Sequence, residues 1–253
     1  MKKIMICVLV GFLSPIFLFA QLKKHNVKNS IIELNFIHTV NKKPLILADS
    51  TYTNSYQENF IITSLYYYIS NITMYKQGKI VYKHKGYYLV NQAIDSSKKI
   101  AFELPINNYD SIAFMIGVDS IKNISGAQKN ALDPLHGMFW TWNNGYIMQK
   151  IEGTSTKSNL VNNKIEYHLG GFKYPYSIAI PTIFKAPNQS INIQANTTTL
   201  VHFNVAIDKF WKGETPNSIA FIPICSTTGA LATQLSKNFT GMFSCTKIEY
   251  VNK

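Results

Sequence analysis

Residues 31–38 read IIELNFIH, and apolar and polar side chains alternate along this stretch. Alternation with a period of two is typical of a β-strand that buries one face and exposes the other. The same pattern recurs along most of the chain, where the strand-favouring residues Tyr, Phe, Ile, Val and Thr are abundant. The further strand-like segments are Tyr56–Tyr68, Lys79–Leu89, Lys99–Leu104, Tyr109–Val118, Ile147–Gly153, Lys164–Leu169, Ser177–Ile180, Ser190–Leu200, Val201–Ile207 and Ser218–Ile222.

Turn signals rich in Gly and Asn separate these segments, for example at residues 77–78 and 143–145. Helical patterns are few and short, at residues 123–131, 207–211 and 230–237. Many short strands at regular spacing are typical of sandwiches and barrels. The sequence therefore predicts an all-β protein, a β-sandwich of short antiparallel strands with few short helices.

The first twenty residues have the features of a signal peptide. Lys2 and Lys3 form a short positive region, Ile4–Phe19 is an apolar run, and a cleavage site follows near Ala20. A membrane-spanning helix needs about 20 consecutive apolar residues, and no later stretch has that composition. We therefore expect an exported protein, periplasmic or secreted, that does not span a membrane.

We expect the mature chain to form one β domain over residues 21–215, followed by a C-terminal extension over residues 216–253. The extension holds Cys225 and Cys245, the two cysteines that remain after removal of the signal peptide. Two cysteines in an exported chain favour one disulfide, which would close a loop of about 20 residues. The alternative is a pair of free thiols.

The formal net charge of the chain is +12, which raises the question of nucleic-acid binding. All 25 basic residues are Lys, and they are spread along the chain. Readout of bases and bidentate contacts to phosphate favour Arg. The charge pattern therefore indicates a solvated lysine surface and argues against a nucleic-acid partner.

Two dense segments carry most of the side chains with metal or redox chemistry. Residues 132–146 read LDPLHGMFWTWNNGY, and residues 166–171 read EYHLGG. The chain has no hydrolase, zinc-protease or phosphate-loop motif. Imidazole, thioether and indole groups bind or react with soft, redox-active metals. Trp140 and Trp142 would share one face of a strand, either as an oxidisable pair beside a metal or as an ordinary core pair.

Four histidines are candidate metal ligands. His38, His168 and His202 lie in strand-like segments, which hold side chains rigidly, and His136 precedes a glycine in the tryptophan segment. Imidazole with nearby methionine suits copper, whereas a chain with only 13 acidic residues is poor in ligands for calcium or magnesium. The alternative for each histidine is an ordinary imidazole with a satisfied hydrogen bond.

Several segments together resemble the MbnP-like copper-binding family. The resemblance runs from Ile31 to Trp211, and its most specific parts are residues 137–146 and 167–170. The segments that carry it are LNFIHTVNKKPL, ITSLYYYISNITMY, IGVDSIKNISG, LDPLHGMFWTWNNGYIMQKIEG and YHLGG.

The resemblance implies an exported, β-rich, non-enzymatic protein with a copper site made of two imidazoles and a kynurenine nitrogen. It also implies a partner, a dihaem cytochrome c peroxidase-like enzyme that oxidises a tryptophan to kynurenine. Trp140 or Trp142 would be that tryptophan. His168 and His38 lie in family-like segments, while His136 and His202 are less securely aligned.

Two other functions stay open at this point. A metal-free β-sandwich could use its aromatic side chains to bind a glycan or a protein. A hydrolase could use a pair of carboxylates such as Glu152 and Glu166, but nothing in the spacing of the acidic residues selects a pair.

Overall fold

The computed structural model describes residues 28–126, 128–140, 144–187 and 190–252. The signal peptide and Trp142 lie outside these ranges. No helix within them is long and apolar enough to cross a membrane.

The strands are β1 (Asn29–Val40), β2 (Lys43–Pro44), β3 (Tyr52–Thr53), β4 (Asn59–Lys76), β5 (Lys79–Asn91), β6 (Lys99–Pro105), β7 (Asn107–Tyr109), β8 (Ser111–Met115), β9 (Phe139–Trp140), β10 (Gly145–Thr154), β11 (Lys164–Gly170), β12 (Pro181–Lys185), β13 (Ile191–Ile193), β14 (Thr197–Ala206), β15 (Ile224–Cys225) and β16 (Phe243–Asn252). The α-helices are α1 (Ser120–Ile124) and α2 (Ala230–Thr240), and the 3-10 helices are Asp95–Lys98, Asn130–Leu132, Pro134–His136, Val161–Asn163 and Ile207–Lys212.

Two main sheets form the molecule, as predicted for an all-β sandwich. The smaller sheet has the order β16-β14-β1-β2, with β6 also paired to β1. The larger sheet has the order β12-β8-β4-β10-β11-β15, with β3 and β5 paired to β4 and β9 paired to β10. Most pairs are antiparallel, but β1 pairs with β14, and β11 with β15, in parallel. Parallel neighbours need a long crossover, and the chain between β1 and β14 contains most of the larger sheet.

The larger sheet is organised by β4, which has 18 residues. Residues 61–67 of β4 pair with β10, and residues 70–75 pair with β8. The ladder with β8 is irregular between Ser70 and Thr73, where Asn71 has a left-handed backbone with φ 51°. Asn tolerates that conformation better than most residues, and such irregularities bend a strand. The bend lets one strand pair with β10 and then with β8.

An aromatic cluster packs the two sheets together. Phe36 of β1 lies 5.4 Å from Phe203 of β14, measured between ring centroids. Across the sandwich its ring contacts Tyr67 of β4 at 6.0 Å and Phe114 of β8 at 5.8 Å. Every member of this cluster is at most 2% exposed. The alternating side chains that predicted β1 therefore form the middle of the core.

The C-terminal segment contributes to both sheets. Strand β16 pairs with β14 in the smaller sheet, and β15 pairs with β11 in the larger one. Cys225 lies in β15 and Cys245 in β16, and both are free thiols. The predicted disulfide is therefore not confirmed, because strand pairing assigns the two cysteines to different sheets.

Two predicted strands are wrong, at residues 177–180 and 218–222. In the second segment, the backbone N–H groups of Ile219 and Ala220 donate to the carboxylate of Glu58 instead of to a neighbouring strand. A buried carboxylate therefore replaces the ladder that the apolar pattern predicted.

Replacing Phe36 by Ala should lower the free energy of unfolding by about 3–5 kcal/mol, because it empties the centre of the aromatic cluster. Denaturant unfolding followed by circular dichroism measures this change. Ile37→Ala is the matched control, since Ile37 is 48% exposed on the opposite face of β1 and should cost less than about 1 kcal/mol. Equal costs for the two variants would contradict the assignment of Phe36 to the core centre.

Candidate functional site

The pairing of β10 with β11 creates a row of charged side chains on the outer face of the larger sheet. The register places Lys150 opposite His168 and Glu152 opposite Glu166. The residues between them, such as Ile151 and Tyr167, are fully buried. Because side chains alternate along a strand, the polar residues must point away from the core.

We call Lys150, Glu152, Lys164, Glu166 and His168 the outer-face cluster. The His168 Nε2 atom lies 2.8 Å from Glu152 Oε1, and the Lys150 ammonium group lies 3.1 Å from the same oxygen. The Lys164 ammonium group contacts Glu166 in the same way. The side chains of the imidazole and both carboxylates are only 14–22% exposed, so these contacts are partly shielded from water.

The electrostatics of the cluster favour the ionised form of Glu152. The hydrogen bond from His168 lowers the pKa of Glu152 to about 2, and the positive charge of Lys150 acts in the same direction. The hydrogen bond to Glu166 raises the pKa of Lys164. At neutral pH Glu152 is therefore ionised beside the imidazole, and Lys164 is an ammonium group that contacts Glu166.

The proton positions on His168 follow from its neighbours. A carboxylate can only accept, so Nε2 carries a proton and donates it to Glu152. In the neutral ring this leaves the lone pair on Nδ1, which lies 3.9 Å from Glu166 Oε1. The described part of the chain holds one group of three or more possible metal ligands from His, Cys, Asp or Glu whose ligand atoms all lie within 4.8 Å of one another. That group is Glu152, Glu166 and His168.

Trp140 packs against Gly170 at the end of β11. A Cβ atom built on Gly170 would lie 2.4 Å from Cζ3 of the Trp140 ring, so the indole rests on the bare backbone of that glycine. Residues 168 and 170 are two apart on one strand and share a face. The YHLGG segment therefore places the His168 imidazole two residues from the glycine that contacts the Trp140 indole. Trp140 itself is 5% exposed.

His38 points into the core, in phase with Phe36. Its Nδ1 atom lies 2.6 Å from Gln92 Oε1, and Tyr67 O–H lies 2.9 Å from its Nε2. The Gln92 amide nitrogen donates to Leu45 O, which fixes Oε1 as the acceptor for His38. The His38 Nδ1–H therefore donates to Gln92 while Nε2 accepts from Tyr67. Burial lowers the pKa of His38 to about 4, and both nitrogens of the neutral ring are in use.

The other two predicted ligands lie elsewhere. His202 is on the outer face of the smaller sheet, where its Nε2 lies 2.7 Å from Glu249 Oε2 and Lys247 contacts the same carboxylate. His136 is exposed at the end of a 3-10 helix, with Nε2 2.9 Å from Asn130 O. The structure does not gather the four histidines into one site.

Sequence reasoning did not select the two carboxylates that surround His168. The signal is present as Lys-x-Glu on both strands, at 150–152 and 164–166, with His168 two residues further on. Spacing alone shows that the Lys and Glu of each strand share a face with the next polar residue. Only the register of β10 with β11 brings the polar side chains of the two strands together.

The buried His38 predicts a pH dependence of stability. Its folded pKa of about 4 is below the usual value of 6.5, so the unfolded chain binds more protons between these two pH values. The contribution of the neutral His38 to the free energy of unfolding is therefore fully present above pH 6.5. It is lost as the pH falls towards 4, by roughly 3 kcal/mol in total. Unfolding of the wild type and of His38→Gln at a series of pH values measures it. The variant should lose less stability on acidification, and identical slopes for both proteins would contradict the burial of a neutral His38.

Comparison with known proteins bears on this arrangement. The MbnP family model matches residues 29–226, which include the outer-face cluster and every strand except β16. MbnP from Methylosinus trichosporium is similar in structure, with a TM-score of 0.48 and 13% identity over 77% of this chain and 80% of that chain. No curated protein sequence matches the chain. Since the family model covers well over half of its length, the chain belongs to the MbnP family.

Proposed function

We propose that this protein binds a copper ion at the outer-face cluster, with the His168 imidazole as the principal ligand. The observation that carries the proposal is the triad of His168, Glu152 and Glu166, which offers ligand atoms at close range on two rigid strands. Membership of the MbnP family supports the choice of copper.

The geometry around the imidazole suits a metal ion. Glu152 accepts the Nε2–H, the arrangement by which a carboxylate orients a metal-binding histidine and raises its basicity. The free Nδ1 lies 3.9 Å from Glu166 Oε1. One ion can bridge that gap, since metal–nitrogen and metal–oxygen bonds are each about 2 Å long.

The donor set indicates the oxidation state of the metal. One imidazole nitrogen and carboxylate oxygens suit Cu(II), whereas Cu(I) prefers thioether and thiolate ligands. Two ammonium groups, from Lys150 and Lys164, now balance the two carboxylates. A divalent cation carries the same charge as these two groups together, so it can take over their contacts with the two carboxylates.

Trp140 or Trp142 is the proposed site of oxidation to kynurenine, and a dihaem cytochrome c peroxidase-like enzyme is the proposed partner. Support comes from the packing of Trp140 on Gly170, two residues from His168. The kynurenine would add a nitrogen donor near the imidazole.

We propose a periplasmic or secreted location, supported by the signal-peptide pattern of residues 1–20. The proposed role is binding of copper, without catalysis.

A second candidate is a metal-free binding module, and one observation favours it. Both carboxylates of the cluster already contact lysines, as in an ordinary ion-pair ladder. Two large aromatic side chains, Tyr174 at 96% and Phe221 at 88% exposure, are available for stacking on a sugar or packing against a protein. Copper titration separates the two candidates.

His168→Ala should weaken Cu(II) binding at least about tenfold, the equivalent of about 1.4 kcal/mol, because it removes the central ligand. Isothermal titration of the mature protein in the presence of a competing chelator measures the affinity. The matched control is His202→Ala, which removes an imidazole beside a glutamate and a lysine on the other sheet.

The control should bind copper as the wild type does. If His168→Ala binds copper with unchanged affinity, His168 is not a ligand. If the wild type takes up no copper at all, the metal-free module replaces the copper-binding proposal.

Protein purified from its native host should contain kynurenine in the tryptic peptide 130–150, which holds both Trp140 and Trp142. Fragmentation mass spectrometry measures the mass change and assigns it to one of the two residues. Trp211 is the internal control, since its ring packs against Phe60 and Tyr167, on the face of β11 opposite His168, and it should stay unmodified. Unmodified tryptophans in a copper-loaded sample would remove oxidation from the proposal and leave copper binding in place.

A further inference from the structure

One cavity of the described chain lies outside the outer-face cluster. It has a volume of about 600 Å³ and is formed by the 3-10 helix Ile207–Lys212, the C-terminal half of α2 and the segment that leads into β12. We call it the lysine cleft, after Lys209, Lys212 and Lys237, which line it. None of its lining residues belongs to the outer-face cluster.

The wall of the cleft is held rigidly by one buried amide. Asn238 of α2 is 2% exposed, and its side-chain nitrogen donates to Phe210 O and Thr215 O. Its side-chain oxygen accepts from Thr215 N. A Cβ atom on Gly213 would lie 2.1 Å from that oxygen, so only glycine lets the loop pack so closely. The cleft is therefore preformed, which lowers the entropic cost of binding a ligand.

The charged side chains around the cleft have a small positive excess, three lysines against two carboxylates. Among the described residues, none of the three lysine ammonium groups lies within 4.0 Å of a carboxylate. Two carboxylates also line the cleft, those of Asp208 and Glu214. The Asp208 carboxylate already accepts the backbone N–H of Asn41, at 2.9 Å.

The remaining wall supplies an apolar surface. Ile178 and Ile180 line the cleft, and Ile180 is 63% exposed although it is a large aliphatic side chain. A site that combines apolar side chains with a few charged groups is typical of small-molecule binding.

We propose that the lysine cleft binds a small amphiphilic carboxylate, with its head group among the lysines and its aliphatic tail against Ile178 and Ile180. The volume suits a medium-length chain, since ligand pockets in proteins span about 300–1,000 Å³. This site is independent of the copper site and of the proposed function.

Displacement of the fluorescent sulfonate 8-anilinonaphthalene-1-sulfonate from the mature protein tests the proposal. Octanoate should displace the dye, and octylamine, which has the same tail and the opposite charge, should not do so at equal concentration. Lys209→Gln combined with Lys212→Gln should weaken octanoate binding at least about tenfold. Lys79→Gln combined with Lys83→Gln removes the same charge from exposed positions on β5 and should leave octanoate binding unchanged.

A second variant tests the location. Thr240→Trp fills the cleft from α2 and should abolish displacement by octanoate, while circular dichroism checks that the protein is folded. The proposal is overturned if the dye does not bind, if octylamine competes as well as octanoate, or if either cleft variant binds octanoate as the wild type does. Copper affinity is a separate readout, so failure here leaves the copper-binding proposal untouched.

Discussion

The contact of Phe36 with Tyr67 and Phe114 joins the two sheets, and the rest of the structure depends on it. It fixes which face of β1 and of β4 is buried. Once these faces are set, alternation decides the direction of every other side chain on the neighbouring strands. The packing of the core therefore determines which polar residues can meet on the outside.

The different environments of the histidines follow from this constraint. His38 is in phase with Phe36 and lies inside, where burial keeps it neutral and two hydrogen bonds use both ring nitrogens. His168 is out of phase with the buried Tyr167 and lies outside among charged groups. An imidazole with one nitrogen free and the other hydrogen-bonded to a carboxylate is suited to bind a metal. An imidazole whose two nitrogens both form hydrogen bonds inside the protein favours one particular packing of the core.

Much of the fold could be predicted from the sequence because alternation is a local property. It found β1 at residues 31–38 and the strand around His168, and helical periodicity found α2. It failed at residues 218–222, where Glu58 replaces a neighbouring strand as the hydrogen-bond acceptor. Alternation also could not predict the parallel pairing of β1 with β14, since this pairing depends on contacts between distant parts of the chain.

The candidate site was predicted only in part. The density of His and Trp drew attention to residues 132–146 and to the YHLGG segment, and these two do meet through Trp140 and Gly170. The sequence alone offers Glu152 and Glu166 only as one possible hydrolase pair, because their approach to His168 depends on the register of β10 with β11. The pairing of the two cysteines was expected from their number, whereas strand pairing decides where they lie.

Pulsed electron paramagnetic resonance of the Cu(II)-loaded mature protein tests whether copper binds at the outer-face cluster, because it detects the remote nitrogen of a copper-bound imidazole. We expect imidazole coupling in the wild type and in His202→Ala, and its loss in His168→Ala. Imidazole coupling that persists in His168→Ala would contradict the placement of copper at the outer-face cluster.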